Sequence, residues 1–304
     1  MTRAFHLLAF APALVAAAGA ALASPAAASG VPIQRLIPHA PWRADGAAAT
    51  VVVPHAATFT GGRAAARSWS TFVSGLVHGP ELRTVRVRVA TPAEVRRECD
   101  GGIACYDPAT RTLEIPSEAP SSGQPLEEVV AHEYGHHIAA SRSNPPWDSY
   151  VRGTKRWASY EDVCARARAR QVFPGDEGAR YRLNPSEGFA EAYRVLNGGR
   201  WSGAVDASFA PDAQSLAALR ADVLTPWRRG PTIVRRGSAT ARFRLATVLD
   251  GTVRVALSGR GRVTLRDPAT GRVLGARRAT VCGQDAIDVT VRAPGRFVAR
   301  VTLP

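Results

Sequence analysis

Residues 132–137 read His-Glu-Tyr-Gly-His-His. On a helix, the spacing of His132 and His136 sets two imidazoles one turn apart on the same face. Two neutral ring nitrogens so placed can both reach one Zn2+ at ~2.0–2.1 Å. Glu133 follows the first imidazole directly, so it projects beside that point and is placed to take a proton from a water held there. His137 lies ~100° further round the helix than His136 and is expected to pack or to face solvent.

A catalytic zinc site needs a third protein ligand and keeps a fourth position open. No histidine follows His137, and the longer pattern H-E-x-x-H-x-x-G-x-x-H fails at Ala139 and Arg142. A third histidine could come only from His39, His55 or His78, far upstream. The downstream candidate is therefore a carboxylate. Residues 184–194 read Asn-Pro-Ser-Glu-Gly-Phe-Ala-Glu-Ala-Tyr-Arg, with Glu187 and Glu191 at i and i+4 of one helix face. One can meet the metal while the other accepts the N–H of a ligating histidine.

His132, Glu133, His136, Glu187 and Glu191, with a strand before the first helix, resemble the gluzincin branch of HExxH zinc metallopeptidases. The likeness does not extend to the C-terminal part. It implies an α+β, zincin-like catalytic domain with the HExxH helix at its centre and one catalytic Zn2+. It gives Glu187 the metal, Glu191 the orientation of His132, and Glu133 the role of general base in peptide-bond hydrolysis. Glu191 departs from the resembled pattern in being Glu rather than Asp, so an exchange of roles between Glu187 and Glu191 stays open. The resemblance also implies a Tyr or His that faces the developing oxyanion, with Tyr150, Tyr160, Tyr181 and Tyr193 as candidates. The strand around Leu113 and Ile115 takes the place of a substrate-lining edge strand, on which an extended peptide could pair. Other readings are a cell-wall amidase or another metal-assisted hydrolase, and a non-enzymatic surface-binding protein that zinc merely stabilises.

The elements that must hold these residues can be read locally. A helix over 125–141 carries Val130, Tyr134 and Ile138 as an apolar stripe, which leads Tyr134 into a core. Gly135 costs that helix ~1 kcal/mol relative to Ala, which makes sense if another element packs closely across it. Asn184 and Pro185 are an N-cap and first-turn pair that opens the second helix, and Gly198-Gly199 ends it. Further helices are expected over 62–77, after Thr91-Pro92, over 160–171 and over 211–224. Residues 85–89 alternate as a strand, Tyr106 to Thr110 form a turn, and 112–116 form a strand whose terminal Pro116 suggests a sheet edge. From 232 onward the chain reads as short strands (241–248, 252–258, 262–267, 272–276, 286–291 and 296–303) separated by DG, GRG, DPATG and APG turns. That rhythm predicts a small all-β, sandwich-like domain over 229–304 after the catalytic region of 29–228. Asp-Pro-Ala-Thr occurs at both 107–110 and 267–270, read as two independent turns.

Residues 1–28 have Arg3 before an apolar run and two A-x-A-like sites, Ala21-Leu22-Ala23 and Ala26-Ala27-Ala28, as in a secretory signal peptide. No later stretch reaches the ~18 apolar residues of a membrane span. Cys99, Cys105, Cys164 and Cys282 suit an exported protein, with Cys99–Cys105 and Cys164–Cys282 the favoured pairing. The 304 residues carry a formal net charge of +14, and Lys155 is the only lysine. Residues 231–304 hold 14 Arg and 4 Asp with no Lys or Glu, a net +10, which leaves +4 for the other 230 residues. The basicity therefore belongs to the β region, where it points to an anionic surface polymer as partner. Nucleic acid is disfavoured, because nearly all the basic residues are Arg, as a GC-rich genome would encode.

Overall fold

The computed structural model describes residues 42–43, 50–52 and 62–304, with side chains from Arg67 onward. The expected signal peptide, His39 and His55 lie outside the described residues. The fold is mixed α+β, with a nearly closed β-sheet module at the C-terminal end.

The first half builds one sheet from β1 (Trp42–Arg43), β2 (Thr50–Val52), β3 (Arg86–Ala90), β4 (Cys105–Asp107) and β5 (Thr112–Pro116). Their order is β1-β2-β3-β5-β4; β2, β3 and β5 run parallel, and β1 and β4 pair antiparallel to their neighbours. Helix α1 (Gly62–Gly75) precedes β3, and α2 (Pro92–Glu98) follows it. Thr91 opens α2 with a full capping box, accepting from the Glu94 N–H while the Glu94 carboxylate accepts from the Thr91 N–H. Val87 and Val89 of β3 are buried. Arg88 points to the other face and pairs with Glu114 of β5.

β5 is not the sheet edge that its proline suggests. It pairs with β3 on one side and β4 on the other, and the three-residue β4 is the edge. β4 covers only Thr112 to Glu114, so Pro116 lies beyond its end. On the β3 side, the Ser117 N–H donates to the Ala90 carbonyl just past the proline. Tyr106 and Asp107 belong to β4, and the turn is confined to the residues after them.

Helices α3 (Leu126–Ala140), α4 (Ser149–Arg152), α5 (Lys155–Tyr160), α6 (Val163–Arg168), α7 (Pro185–Leu196) and α8 (Ala213–Leu224) pack against this sheet and each other. The single helix expected over 160–171 is replaced by α5 and α6, broken at Asp162, which takes a left-handed φ of +51°. α5 has its own anchor: the Asp222 carboxylate of α8 accepts the N–H groups of Arg156 and Trp157 at its start. α3 is buried all round from Val129 to Ala139. Val130, Tyr134 and Ile138 join the main core with Leu113, Ile115, Trp157 and Phe189.

The C-terminal strands are β6 (Thr232–Ala246), β7 (Gly251–Leu257), β8 (Arg262–Arg266), β9 (Val273–Gly275), β10 (Arg278–Val281) and β11 (Ala286–Thr302). The expected all-β, sandwich-like domain is built from a single antiparallel sheet folded on itself. β6 and β11 form one long ribbon that is irregular between Arg292 and Arg296. One half of β11 carries β8 and then β9; the other half carries β7 and then β10. The end strands β9 and β10 approach each other, which nearly closes the sheet. Ala293-Pro294-Gly295, expected as a turn, is therefore a bulge within β11, where the irregularity absorbs a proline that cannot donate to the ladder. The inner face holds its own core, including Leu245, Val255, Leu265, Val289, Phe297 and Val301.

The repeated Asp-Pro-Ala-Thr string makes the same hairpin turn twice. Asp107 and Asp267 each accept from the N–H two residues on, at 2.9 Å. The fifth position takes positive φ in both, Arg111 at +58° and Gly271 at +68°.

Two disulfides are present, Cys99–Cys105 and Cys164–Cys282. The second ties α6 to the β module. Lys155 adds a polar link, donating to the Asp250 carbonyl and, at 3.0 Å, to the Pro145 carbonyl. Its Nζ lies 5.0 Å from the centre of the Trp227 ring. Burial lowers the Lys155 proton affinity to about 8. No helix among the described residues is long and apolar enough to cross a membrane.

Two outcomes follow for stability. Cys164–Cys282 spans 118 residues and Cys99–Cys105 only 6. Replacing the long-range pair by serine should cost roughly 2–5 kcal/mol in urea unfolding, and replacing the short-range pair distinctly less. Separately, Gly135→Ala should lower stability by ~1–3 kcal/mol through overpacking, although Ala is the better helix former. Unchanged thermal midpoints for Gly135→Ala would contradict the close approach described next.

Candidate metal centre

The site is made by two helices. α3 carries His132, Glu133 and His136, and α7 carries Glu187 and Glu191. The helices touch at Gly135, where an added Cβ would lie 2.9 Å from the Ala190 Cα and 3.1 Å from the Tyr193 Cβ. Gly135 thus does what its place in the motif suggests: it lets α7 come close enough for its carboxylates to reach the α3 imidazoles. The Asn184 side chain caps α7 by accepting from the Ser186 N–H, and Pro185 follows at the first turn. The Gly175 N–H donates to the same Asn184 oxygen, which fastens the preceding loop to the helix start.

Ligand atoms of His132, His136 and Glu187 lie within 4.8 Å of one another. The two Nε2 atoms are 3.2 Å apart, Glu187 Oε2 is 3.2 Å from His132 Nε2, and Glu187 Oε1 is 3.4 Å from His136 Nε2. Donors around a tetrahedral zinc with bonds of ~2.0–2.1 Å sit about 3.3 Å from each other. The residues therefore fit the metal in number, chemistry and spacing.

The far side of each ring is tied back. His132 Nδ1 is 3.0 Å from Glu191 Oε1, and a carboxylate can only accept, so Nδ1 carries the proton. Ser186 donates its hydroxyl to the Tyr150 carbonyl at 2.6 Å and can accept from His136 Nδ1 at 3.4 Å. Both networks turn the Nε2 lone pairs toward the shared point. Glu191 is held in turn by Arg194 at 2.7 Å and by the Ser202 hydroxyl at 3.0 Å. His132 and these donors keep its carboxyl below the ordinary range, against the effect of burial.

The electrostatics favour a cation. Burial opposes charge on His132, yet the Glu187 and Glu191 carboxylates outweigh it and raise its proton affinity to about 10. Burial lowers that of His136. Glu133 is fully buried, and neither of its carboxylate oxygens has a hydrogen-bond partner among the described residues. Burial pushes its pKa up to about 8; the charge of His132 opposes the rise, and Glu187 and Glu191 add to it. Glu177, bonded to Asn184 at 2.7 Å, is also pushed up to about 8, by burial and then by Glu187. A cluster with this carboxylate excess is one that a divalent ion stabilises.

The tyrosine candidates separate clearly. The Tyr181 hydroxyl donates to Glu187 Oε2 at 2.6 Å, within the cluster. The Tyr150 ring lies 6.3 Å from that of His136. Tyr193 bonds the Val77 carbonyl and Tyr160 bonds Asp212, both away from the cluster. His137 is packed: it is fully buried, with Nε2 3.1 Å from the Glu81 carbonyl and Nδ1 3.0 Å from the Tyr106 hydroxyl. Nε2 must donate to the carbonyl, so Nδ1 accepts from the tyrosine. Burial holds the ring neutral, with its pKa lowered to about 4. Tyr134 is likewise buried, its hydroxyl 3.4 Å from the Glu81 carboxylate. Ser186, Arg194 and Ser202 escaped sequence reasoning. Only Ser186 and Arg194 have a signal there, as close neighbours of Glu187 and Glu191 on one helix.

Comparison of the chain with protein-family models, with curated proteins and with solved structures gives no match.

Proposed function

We propose that the protein is a secreted zinc-dependent peptidase with a zincin-like catalytic region. One observation carries this reading: His132 and His136, with their outer nitrogens tied back, converge with Glu187 beside a buried Glu133 carboxylate that has no hydrogen bond among the described residues. A purely structural metal site has no use for such a base. Zinc held by His132, His136 and Glu187 supplies Lewis acidity that polarises a peptide carbonyl and makes a water more acidic.

The remaining steps belong to the chain itself. Glu133 accepts a proton from the attacking water at a carboxylate oxygen and passes it to the departing amine. Tyr181 takes the oxyanion-donor role among the four tyrosines, since its hydroxyl donates to the Glu187 carboxylate. Glu191 holds His132 in one tautomer and orientation. The substrate strand must be reassigned: β5 is paired on both sides, so a peptide that extends the sheet would add to β4. The pattern at 1–28 and the two disulfides support export.

Zinc analysis should find one ion per chain, lost in His132→Ala, His136→Ala and Glu187→Ala. Glu191→Gln should keep zinc with an affinity lowered by roughly 10–100-fold, because it only supports a ligand. Equal loss in Glu187→Ala and Glu191→Gln would refute that division of roles. Glu133→Gln should retain zinc yet cleave a protein substrate roughly 10²–10⁴-fold more slowly than wild type. Equal cleavage by the two, or indifference of the wild type to o-phenanthroline, would dismiss the peptidase mechanism.

A further inference from the structure

The outward face of one half of the β module is a small grid set by register. Its rows are Arg244-Asp288-Arg266, Arg242-Thr290-Thr264 and Thr240-Arg292-Arg262 across β6, β11 and β8. The alternate positions Phe243, Val289 and Leu265 turn inward to the module core. The middle row ends in two short threonines while long arginines stand around it. A hollow of about 450 Å³ follows from that difference in length, lined by Arg242, Arg244, Arg266 and Arg292 with Thr264, Thr290, Asp288 and the partly buried Phe243.

The charges on this face are mostly uncompensated. Asp288 is its only acid and is taken by Arg244 through two bonds of 2.8 and 3.1 Å. Arg242 and Arg292 have no ion-pair partner among the described residues. Arg266 gives one N–H to the Gly271 carbonyl and keeps its others. Arg292 and Arg262 stand directly opposite each other, a like-charge pairing that costs a sheet stability. An oxyanion between such groups removes that repulsion and accepts bidentate bonds from guanidinium forks, with threonine hydroxyls to complete its shell.

We propose that this β6–β11–β8 face binds an acidic polysaccharide, with one anionic sugar unit seated in the hollow. Successive outward side chains on a strand are ~6.8 Å apart, so arginines of different rows can meet separate anionic groups of one polymer. None of the nine grid positions is aromatic, and Phe243, the one ring lining the hollow, is packed against the module core, so single-stranded nucleic acid would find no row of rings to stack on. The inference is independent of the peptidase reading, since the face lies in the module and not at the metal cluster.

The test uses the full-length protein and a heparin-derived oligosaccharide, measured by titration calorimetry. Arg242→Ser/Arg266→Ser/Arg292→Ser should weaken binding by about tenfold or more. A matched control removes the same charge from exposed positions on the other half of the sheet, as Arg254→Ser/Arg278→Ser/Arg300→Ser. It should change affinity far less, with thermal melts confirming that both variants remain folded. Equal losses in the two variants would show attraction to bulk charge and overturn the site. So would absence of binding by the wild type, or tighter binding of a single-stranded oligonucleotide or poly-glutamate of the same charge.

Discussion

The close crossing of α3 and α7 at Gly135 and Ala190 is the constraint on which the candidate metal centre rests. It brings two carboxylates from one helix against two imidazoles from the other in a buried place. Such an arrangement is unfavourable alone, because lone pairs and negative charge accumulate where water cannot screen them. The surrounding bonds make it persist: Arg194 and Ser202 on Glu191, Tyr181 on Glu187, and Ser186 beside His136. Further along α3, a second buried network repeats the principle. Glu81 pairs with Arg142 at 2.7 Å, and His137 and Tyr134 both attach to Glu81. That network fixes the end of α3, and with it the pitch at which His132 and His136 present their rings.

Much of the site was legible because it is written in local spacing. His132, Glu133 and His136 share one helix, and Glu187 with Glu191 share another, so a periodicity of 3.6 suffices to group each set. No histidine follows His137, which leaves carboxylates as the downstream candidates, and Glu187 and Glu191 both lie at the cluster. Gly135 was informative because its cost to a helix needed a reason. The residues that escaped are those brought in by tertiary packing. Ser202 comes from a loop beyond α7, and nothing local marks its hydroxyl as a partner for Glu191. Tyr181 was one of four equal candidates until the fold placed it on Glu187.

The misread elements have a common physical origin. Pro116 looked like an edge signal, but a strand can be internal along most of its length while its last residue outruns one neighbour. Ala293-Pro294-Gly295 has the composition of a turn, yet a bulge in a long bent strand needs the same residues. The stretch from 160 to 171 has helical periodicity, but Asp162 in the left-handed region divides it and lets α6 start in a new direction to meet Cys282. In each case the local preference is real, and a contact distant in sequence decides which of two compatible geometries it serves.

Lys155 provides the only side-chain amine of the protein, and it is about 1% exposed, clamped between backbone carbonyls at the seam with the β module. The whole exterior is thus served by guanidinium groups, which acylating reagents leave untouched at neutral pH. Reaction of a lysine-selective label with this chain has one side-chain site. Its rate measures how often the seam opens, once the reaction of the chain's terminal amine is subtracted.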